Sequence, residues 1–178
     1  MVQVFIQPSY GTPGARRHWA DTLTRAVPFH DLGLSREDLT GLTAAHPSGR
    51  TRLWGTTDKH DKRMDTLAPG DVALLTGRKH VLAIGEVGYS FRDPDFARRL
   101  WRPEPGKCLW SNVYSFRGYW PVHVPYEEIW ALPGFSAGDN FMGLRFLAPE
   151  KADVVLAHIA EDRRSAPAAE DEICPAVV

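Results

Sequence analysis

Only two of the 178 residues are cysteine, Cys108 and Cys174, too few for a disulfide framework or a four-thiolate zinc site, so reduced thiols are expected. Long apolar runs are missing too. Nothing approaches the roughly eighteen consecutive apolar residues of a membrane span, and the opening Met-Val-Gln-Val-Phe-Ile lacks the cationic lead of a secretory signal. Together these absences predict a cytoplasmic chain with no membrane partner. Catalytic signatures are equally scarce: there is no Gly-x-Ser-x-Gly elbow, no Gly-x-x-x-x-Gly-Lys phosphate loop and no cysteine with an evident histidine partner. A two-acid nuclease site would add a lysine two residues after its second acid, but Glu86 is followed by Val87 and Gly88. The seven histidines are scattered. Only His60 falls in an acidic cluster, with Asp58 and Asp61, and on a helical turn that spacing does not converge three metal ligands. The expectation is a non-catalytic domain with no cofactor and no metal.

Charge of one sign is also lacking, since 21 basic residues face 22 acidic ones for a net charge of -1. The balance is uneven along the chain. Residues 148–178 hold seven acids and three bases, which leaves 1–147 at +3. That body is weakly basic, and its cations fall in groups beside expected loops and helix ends, where a phosphate backbone is met. The groups are Arg16 with Arg17, Arg50 with Arg52, Lys59 with Lys62 and Arg63, Arg78 with Lys79, and Arg98 and Arg99 with Arg102. Arg52, Lys59, Lys62, Arg63, Arg98 and Arg99 are the candidate phosphate contacts.

At 43% hydrophobic and 24% charged the sequence has enough apolar material for one globular core. The expected division is a domain over residues 1–160 and a disordered tail or linker over 161–178, where Arg-Arg-Ser-Ala-Pro-Ala-Ala-Glu-Asp-Glu lacks apolar residues to bury. Residues 2–7 read as a first strand, 15–27 as a helix, and Ser35 as the cap of a short helix to about Ala45. Residues 52–56 read as a strand, with Asp58 opening one or two helical turns that bury Met64 and Leu67. Residues 72–76 and 80–89 are nearly continuous apolar runs joined by a short turn, hence a hairpin in the middle of a sheet. Asp93 and Pro94 open a helix to Trp101. A strand over 109–119 follows, and 120–124 continues or pairs with it. One helical turn at 125–130, a glycine-flanked loop at 138–143 and a closing helix over 149–160 complete the chain. The predicted class is α+β: a strongly curved β-sheet or small barrel flanked by short helices.

What the sequence has in quantity is aromatic surface, with six tryptophans. Trp54, Trp101, Trp110, Trp120 and Tyr114 fall at expected strand ends or adjacent loops, interleaved with Arg, Ser, Thr and Asn. An indole face contributes about 1–3 kcal/mol per stacked base, and neighbouring hydroxyls or amides read a base edge. The alternative is that these rings only fill a core.

A leading strand ending in Ser9-Tyr10 comes first, then Leu53-Trp-Gly-Thr-Thr-Asp-Lys-His-Asp-Lys-Arg-Met-Asp65, Gly70-Asp-Val-Ala-Leu-Leu75 and His80-Val-Leu-Ala-Ile-Gly-Glu-Val87. This order resembles the EVE/YTH group of the PUA superfamily. With Phe96-Ala-Arg-Arg-Leu-Trp101 and Leu109-Trp-Ser-Asn-Val-Tyr114, it is most similar to the modified-base-reading EVE-type domains at the N-terminus of McrB-like and EVE-HNH type IV restriction endonucleases. The resemblance spans about residues 2–147, with Trp54 and Gly85-Glu86-Val87 its most specific parts. It implies a PUA/EVE-like fold that holds a methylated or hydroxymethylated base, flipped out of DNA, in an aromatic cage, while a separate HNH or other nuclease domain or subunit cuts. Trp54 would be one wall, with Ser9 and Tyr10 contacting the base. Trp101 or Trp110 would be the other wall, and the spacing leaves both open. Thr56, Thr57 and Asn112 are candidate edge readers by proximity, and Asp139 or Asn140 would close the pocket.

Two other readings keep the same sequence. One is a reader of methylated single-stranded RNA, which would need contacts to the 2′-hydroxyl. The other is a small enzyme or protein-interaction module whose tryptophans are only core.

Overall fold

A computed structural model describes residues 1–165; residues 166–178, with Cys174 and most of the expected tail, lie outside the described residues. One mixed sheet of seven strands organises the chain: β1 (Val4–Pro8), β2 (Val27–Pro28), β3 (Arg50–Thr56), β4 (Val72–Gly77), β5 (His80–Arg92), β6 (Asn112–Pro125) and β7 (Arg145–Phe146). Their order across the sheet is β2-β3-β6-β5-β4-β1-β7. The β1 strand runs parallel to β4, and every other pair is antiparallel. Among the described residues six α-helices flank it: α1 (Pro13–Thr22), α2 (Arg36–Ala45), α3 (Asp61–Met64), α4 (Pro94–Trp101), α5 (Tyr126–Trp130) and α6 (Pro149–Ser165). The expected α+β class and the curved sheet are observed.

The continuous apolar runs have a direct physical cause, because the central strands are buried on both faces. Val4, Ile6, Val72, Leu74 and Ile84 point to one side, where α5 and α6 supply Ile129, Val155 and Ile159. Alternate residues Phe5, Ala73, Leu75, Ala83 and Val87 point to the other, against Trp54, Tyr114 and Phe116. Pairing of β5 with β6 shifts register three times, between Val81 and Ala83, Glu86 and Val87, and Val87 and Ser90. Such shifts bend strands and raise their twist. The β4–β5 hairpin turns on Arg78 and Lys79, both left-handed with φ of 51° and 61°, the conformation that a two-residue turn needs to match strand twist.

The curl is deep enough to bring distant strands together. Tyr114 on β6 and Gln7 on β1 are three strand spacings apart, about 14 Å in a flat sheet, yet the Tyr114 hydroxyl donates to Gln7 Oε1 at 3.0 Å.

Helix starts follow the sequence signals. Ser35 accepts from the Asp38 N–H at 3.1 Å, Asp93 from that of Phe96 at 2.9 Å, and Thr12 from that of Ala15 at 3.1 Å. Helix ends differ more from expectation. The first helix stops at Thr22, short of the expected Val27, because the Thr22 hydroxyl donates to Leu53 O at 2.6 Å and Val27 joins the sheet opposite Thr51. Residues 120–124 continue β6 instead of forming a separate strand. The last helix runs to Ser165, past the expected Ala160, where Arg163 lies over the Trp120 ring at 4.4 Å and donates to Glu86 Oε2 at 2.6 Å. Among the described residues, no helix is long and apolar enough to cross a membrane.

Gly85 tests the packing of the bent β5–β6 pair. A Cβ at Gly85 would lie 2.4 Å from the Phe116 ring, so Gly85→Ala overfills the cross-strand contact. We expect a loss of about 1–3 kcal/mol, read as a lower urea midpoint with an unchanged denaturant slope.

Candidate functional site

Where the sheet curls, the C-terminal ends of β1 and β3 face each other across a cavity of about 200 Å³. Gln7 and Pro8 line one side; Gly55, Thr56 and Thr57 line another. His60, on the 3₁₀ turn that leads into α3, Trp110, and Gly143 with Leu144 complete the wall. On its other side Trp110 borders a second cavity of about 530 Å³ between the start of α1 and the 103–108 loop. Exposed Arg17 and Glu104 form a 2.8 Å ion pair there.

Beneath the smaller cavity lies a tryptophan cluster. Trp54 is its centre, 0% exposed, with ring centroids 4.9 Å from Trp110, 6.3 Å from Trp19 and 6.5 Å from Trp101. Gly55 makes the close approach of Trp101 feasible, since a Cβ there would meet its ring at 2.7 Å. Trp101 is also buried and donates Nε1–H to the Thr22 hydroxyl at 3.2 Å. Of the three candidate walls only Trp110, half-buried, lines the cavity. Trp54, expected as a wall, offers no exposed face and backs Trp110 from below.

Two polar atoms in this region stand out chemically. Thr56 is 4% exposed and lines the cavity, and its Oγ1 has no hydrogen-bond partner among the described residues. The Trp54 Nε1–H likewise has none. A buried polar group left unpaired costs about 1–3 kcal/mol; Thr56 borders the cavity, whereas the Trp54 indole lies wholly in the core.

The remaining candidates fall into separate places. Ser9 is fully buried and donates to Gln7 O at 2.7 Å, fixing the end of β1. Tyr10 packs edge-on against Trp19 at 5.5 Å beneath the Arg78 guanidinium. Asn112 is 2% exposed and away from the cavity: it donates to Thr57 O at 3.0 Å and to Asp61 Oδ1 at 2.8 Å, and accepts from Arg92 Nε at 2.8 Å. All three of its bonds go to protein, so it joins β6 to α3 instead of reading an edge. Asp139 is engaged with Arg145 at 3.7 Å and Lys151 at 3.9 Å. Asn140 Oδ1 accepts from the Met142 N–H at 2.8 Å. These two shape the late loop, while Gly143 and Leu144 reach the cavity.

Among the cations, Lys59, Lys62 and Arg63 are exposed on the turn and helix that carry His60. Arg52, expected at a phosphate, is 8% exposed, donates Nε–H to Leu23 O at 3.0 Å and lies 5.1 Å from the Tyr119 ring centre. Its place in the middle of β3 turns it inward. Arg98 pairs with Asp95 at 2.6 Å and Arg99 donates to Leu32 O at 2.9 Å, both on α4 and neither on the cavity wall. Gln7, His60, Gly143 and Leu144 are wall residues that sequence reasoning did not select. Gln7 could have been found beside Ser9 and Tyr10 at the end of the first strand; the leucine carried no such signal.

No family model matches the chain, and no curated protein matches it in sequence. The fold, however, is shared. It is similar to the solved N-terminal domain of Thermococcus gammatolerans McrB bound to m5C DNA, with a TM-score of 0.66 over 90% of this chain and 98% of that one. At 17% identity the likeness is one of fold, and what the two share is the α+β architecture of a curled sheet flanked by helices.

Electrostatics around the cavity favour neutral rings. Burial, with Arg63 and Lys59 adding repulsion, holds the His60 pKa below its ordinary value. Burial does the same for His18, whose ring meets Trp110 edge-on at 4.7 Å. Burial also raises the Tyr114 phenol well above its usual range, keeping it the donor to Gln7. Among the described residues no group of three or more His, Cys, Asp or Glu could hold a metal.

The lowered histidines give a pH dependence whose sign is fixed. Above pH about 6.5 an imidazole is neutral in both the unfolded and folded chain. As the pH falls through 6.5 the unfolded chain takes up protons first, so the folded state loses stability until its own lower pKa is passed. Thermal unfolding should come at lower temperature at pH 5.5 than at pH 7.5. His18→Gln should shrink that difference, and an unchanged difference would mean that His18 titrates normally.

Proposed function

We propose that this domain recognises a modified base in DNA by taking it out of the stack into the cavity between the ends of β1 and β3. The observation that carries the reading is the buried, unpaired Thr56 hydroxyl on a wall that also presents the Trp110 indole. A flat ring and an edge-reading hydroxyl at one small cavity are what a single extruded base needs. His60 supplies a second planar ring, uncharged at neutral pH. Gln7 shapes the opposite wall, its Oε1 accepting from Tyr114 at 3.0 Å and its Nε2 donating to Pro8 O at 3.0 Å.

The energies are balanced closely enough to make modification decisive. Extrusion from a duplex costs a few kcal/mol, and stacking on one aromatic returns about 1–3 kcal/mol. Burying one methyl group adds about 0.8 kcal/mol. The similar domain's solved complex holds m5C DNA, which makes 5-methylcytosine the first base to test. Lys59, Lys62 and Arg63 would meet phosphates, holding the strand without reading it. In this reading the domain is the specificity module of a modification-dependent restriction system, and cleavage comes from a separate nuclease domain or subunit.

Fluorescence anisotropy with duplexes identical but for one base (cytosine, 5-methylcytosine, 5-hydroxymethylcytosine or N6-methyladenine) tests it. One modified duplex should bind at least tenfold more tightly than the unmodified one. Trp110→Ala should remove about 1–3 kcal/mol of that binding, while Lys62→Ala should weaken all four duplexes alike and reduce the salt slope by about 1. Equal affinity for all four duplexes would refute the reading, and tighter binding to matched RNA would replace it with the RNA-reader alternative.

A further inference from the structure

The loop over 138–144 has an inside and an outside. Phe141 is its anchor, 4% exposed and edge-on against Tyr126 at 4.8 Å. Its backbone is held at several points. Trp130 Nε1–H donates to Asp139 O at 3.1 Å, Asn140 Oδ1 accepts the Met142 N–H at 2.8 Å, and Arg63 Nη1 donates to Leu144 O at 3.3 Å. Gly138 and Gly143 take φ of 80° and 95°, values that L side chains rarely adopt, so the chain turns sharply on both sides of Met142. Gly143 and Leu144 form part of the cavity wall.

One residue before the wall residue Gly143, Met142 is 85% exposed. Outside the first two residues it is the only large apolar side chain exposed among the described residues. A lone exposed apolar residue is ordinary in itself. This one is placed by an anchored loop, next in the chain to the cavity wall, and Arg63 bonds to the same loop at Leu144 O.

Extruding a base leaves a gap between its neighbours, and stacking is lost on both sides of it. DNA-bending proteins part neighbouring bases by inserting Met, Leu, Ile, Phe or Pro wedges between them, and the gap beside an extruded base is open to the same kind of side chain. The geometry points to Met142 as the wedge that enters the duplex from the lip of the cavity and occupies the place of the extruded base. The inference rests on the reading of the cavity given above and adds to it the residue that holds the duplex open. The unbranched thioether suits the task, being apolar, polarizable and adaptable to whichever neighbours flank the gap.

The test uses whichever of the four duplexes the wild-type protein binds most tightly, together with the modified strand alone. A wedge acts only where there is a stack to open. Met142→Ala should therefore weaken binding to the paired duplex by roughly tenfold and leave binding to the single strand within about twofold. Met142→Leu should restore the duplex affinity. A 2-aminopurine placed beside the modified base should brighten on binding wild type and not on binding Met142→Ala. Equal losses on duplex and single strand, or no loss on the duplex, would overturn the wedge while leaving the reader intact. A wild-type protein with no preference among the four duplexes would overturn both. The exposure of Met142 removes loss of folding as an explanation.

Discussion

One hydrogen bond measures the constraint on which the structure depends. Tyr114 and Gln7 meet at 3.0 Å only because the sheet between them is curled. Burial raises the phenol pKa, so its proton stays on the oxygen. In the low-dielectric interior that bond has no water to replace it. The curl comes from the register shifts along β5 and β6 and from glycines that let rings press onto strands, as Phe116 does at Gly85. Flattened, the sheet would part the ends of β1 and β3 and leave no cavity.

The same curl divides the aromatic residues by role. Trp54 and Trp101 are enclosed, and Trp110 borders both cavities. Burying Trp54 on all sides makes a rigid base for Trp110, whose face would otherwise have to be fixed at an entropic cost when a ligand binds. Thr56, whose Oγ1 has no partner among the described residues, lines the same cavity as that ring.

Cations follow the same division. Those on the 3₁₀ turn and α3 stand in solvent beside His60, while Arg52 is drawn inward by the Leu23 carbonyl and the Tyr119 ring. Arg163 and Arg117 share Glu86, pinning α6 and the edge of the bend to the strand that carries the Gly-Glu-Val motif. That glutamate therefore belongs to the scaffold, and its neighbourhood explains why the last helix outruns its expected end.

Much of the fold was legible in sequence because its signals are local. Ser35 and Asp93 marked helix starts through the hydrogen bonds their short side chains make, and unbroken apolar runs marked strands covered on both faces. Ends set by distant partners were not legible: Thr22 stops α1 through a carbonyl 31 residues away, and Arg163 extends α6 through Glu86. The site divided in the same way. Sequence alone supplied the candidates: Ser9 and Tyr10 after the first strand, Trp54 and Thr56 on the third, and the cations Lys59, Lys62 and Arg63 on the segment that follows. Which ring faces the cavity, that Arg52 and Asn112 turn inward, and that Gln7, His60 and Leu144 join the wall were decided only by tertiary structure. Composition and spacing set the residues available to a surface; facing and burial depend on how a curved sheet brings strands together that lie far apart in the chain.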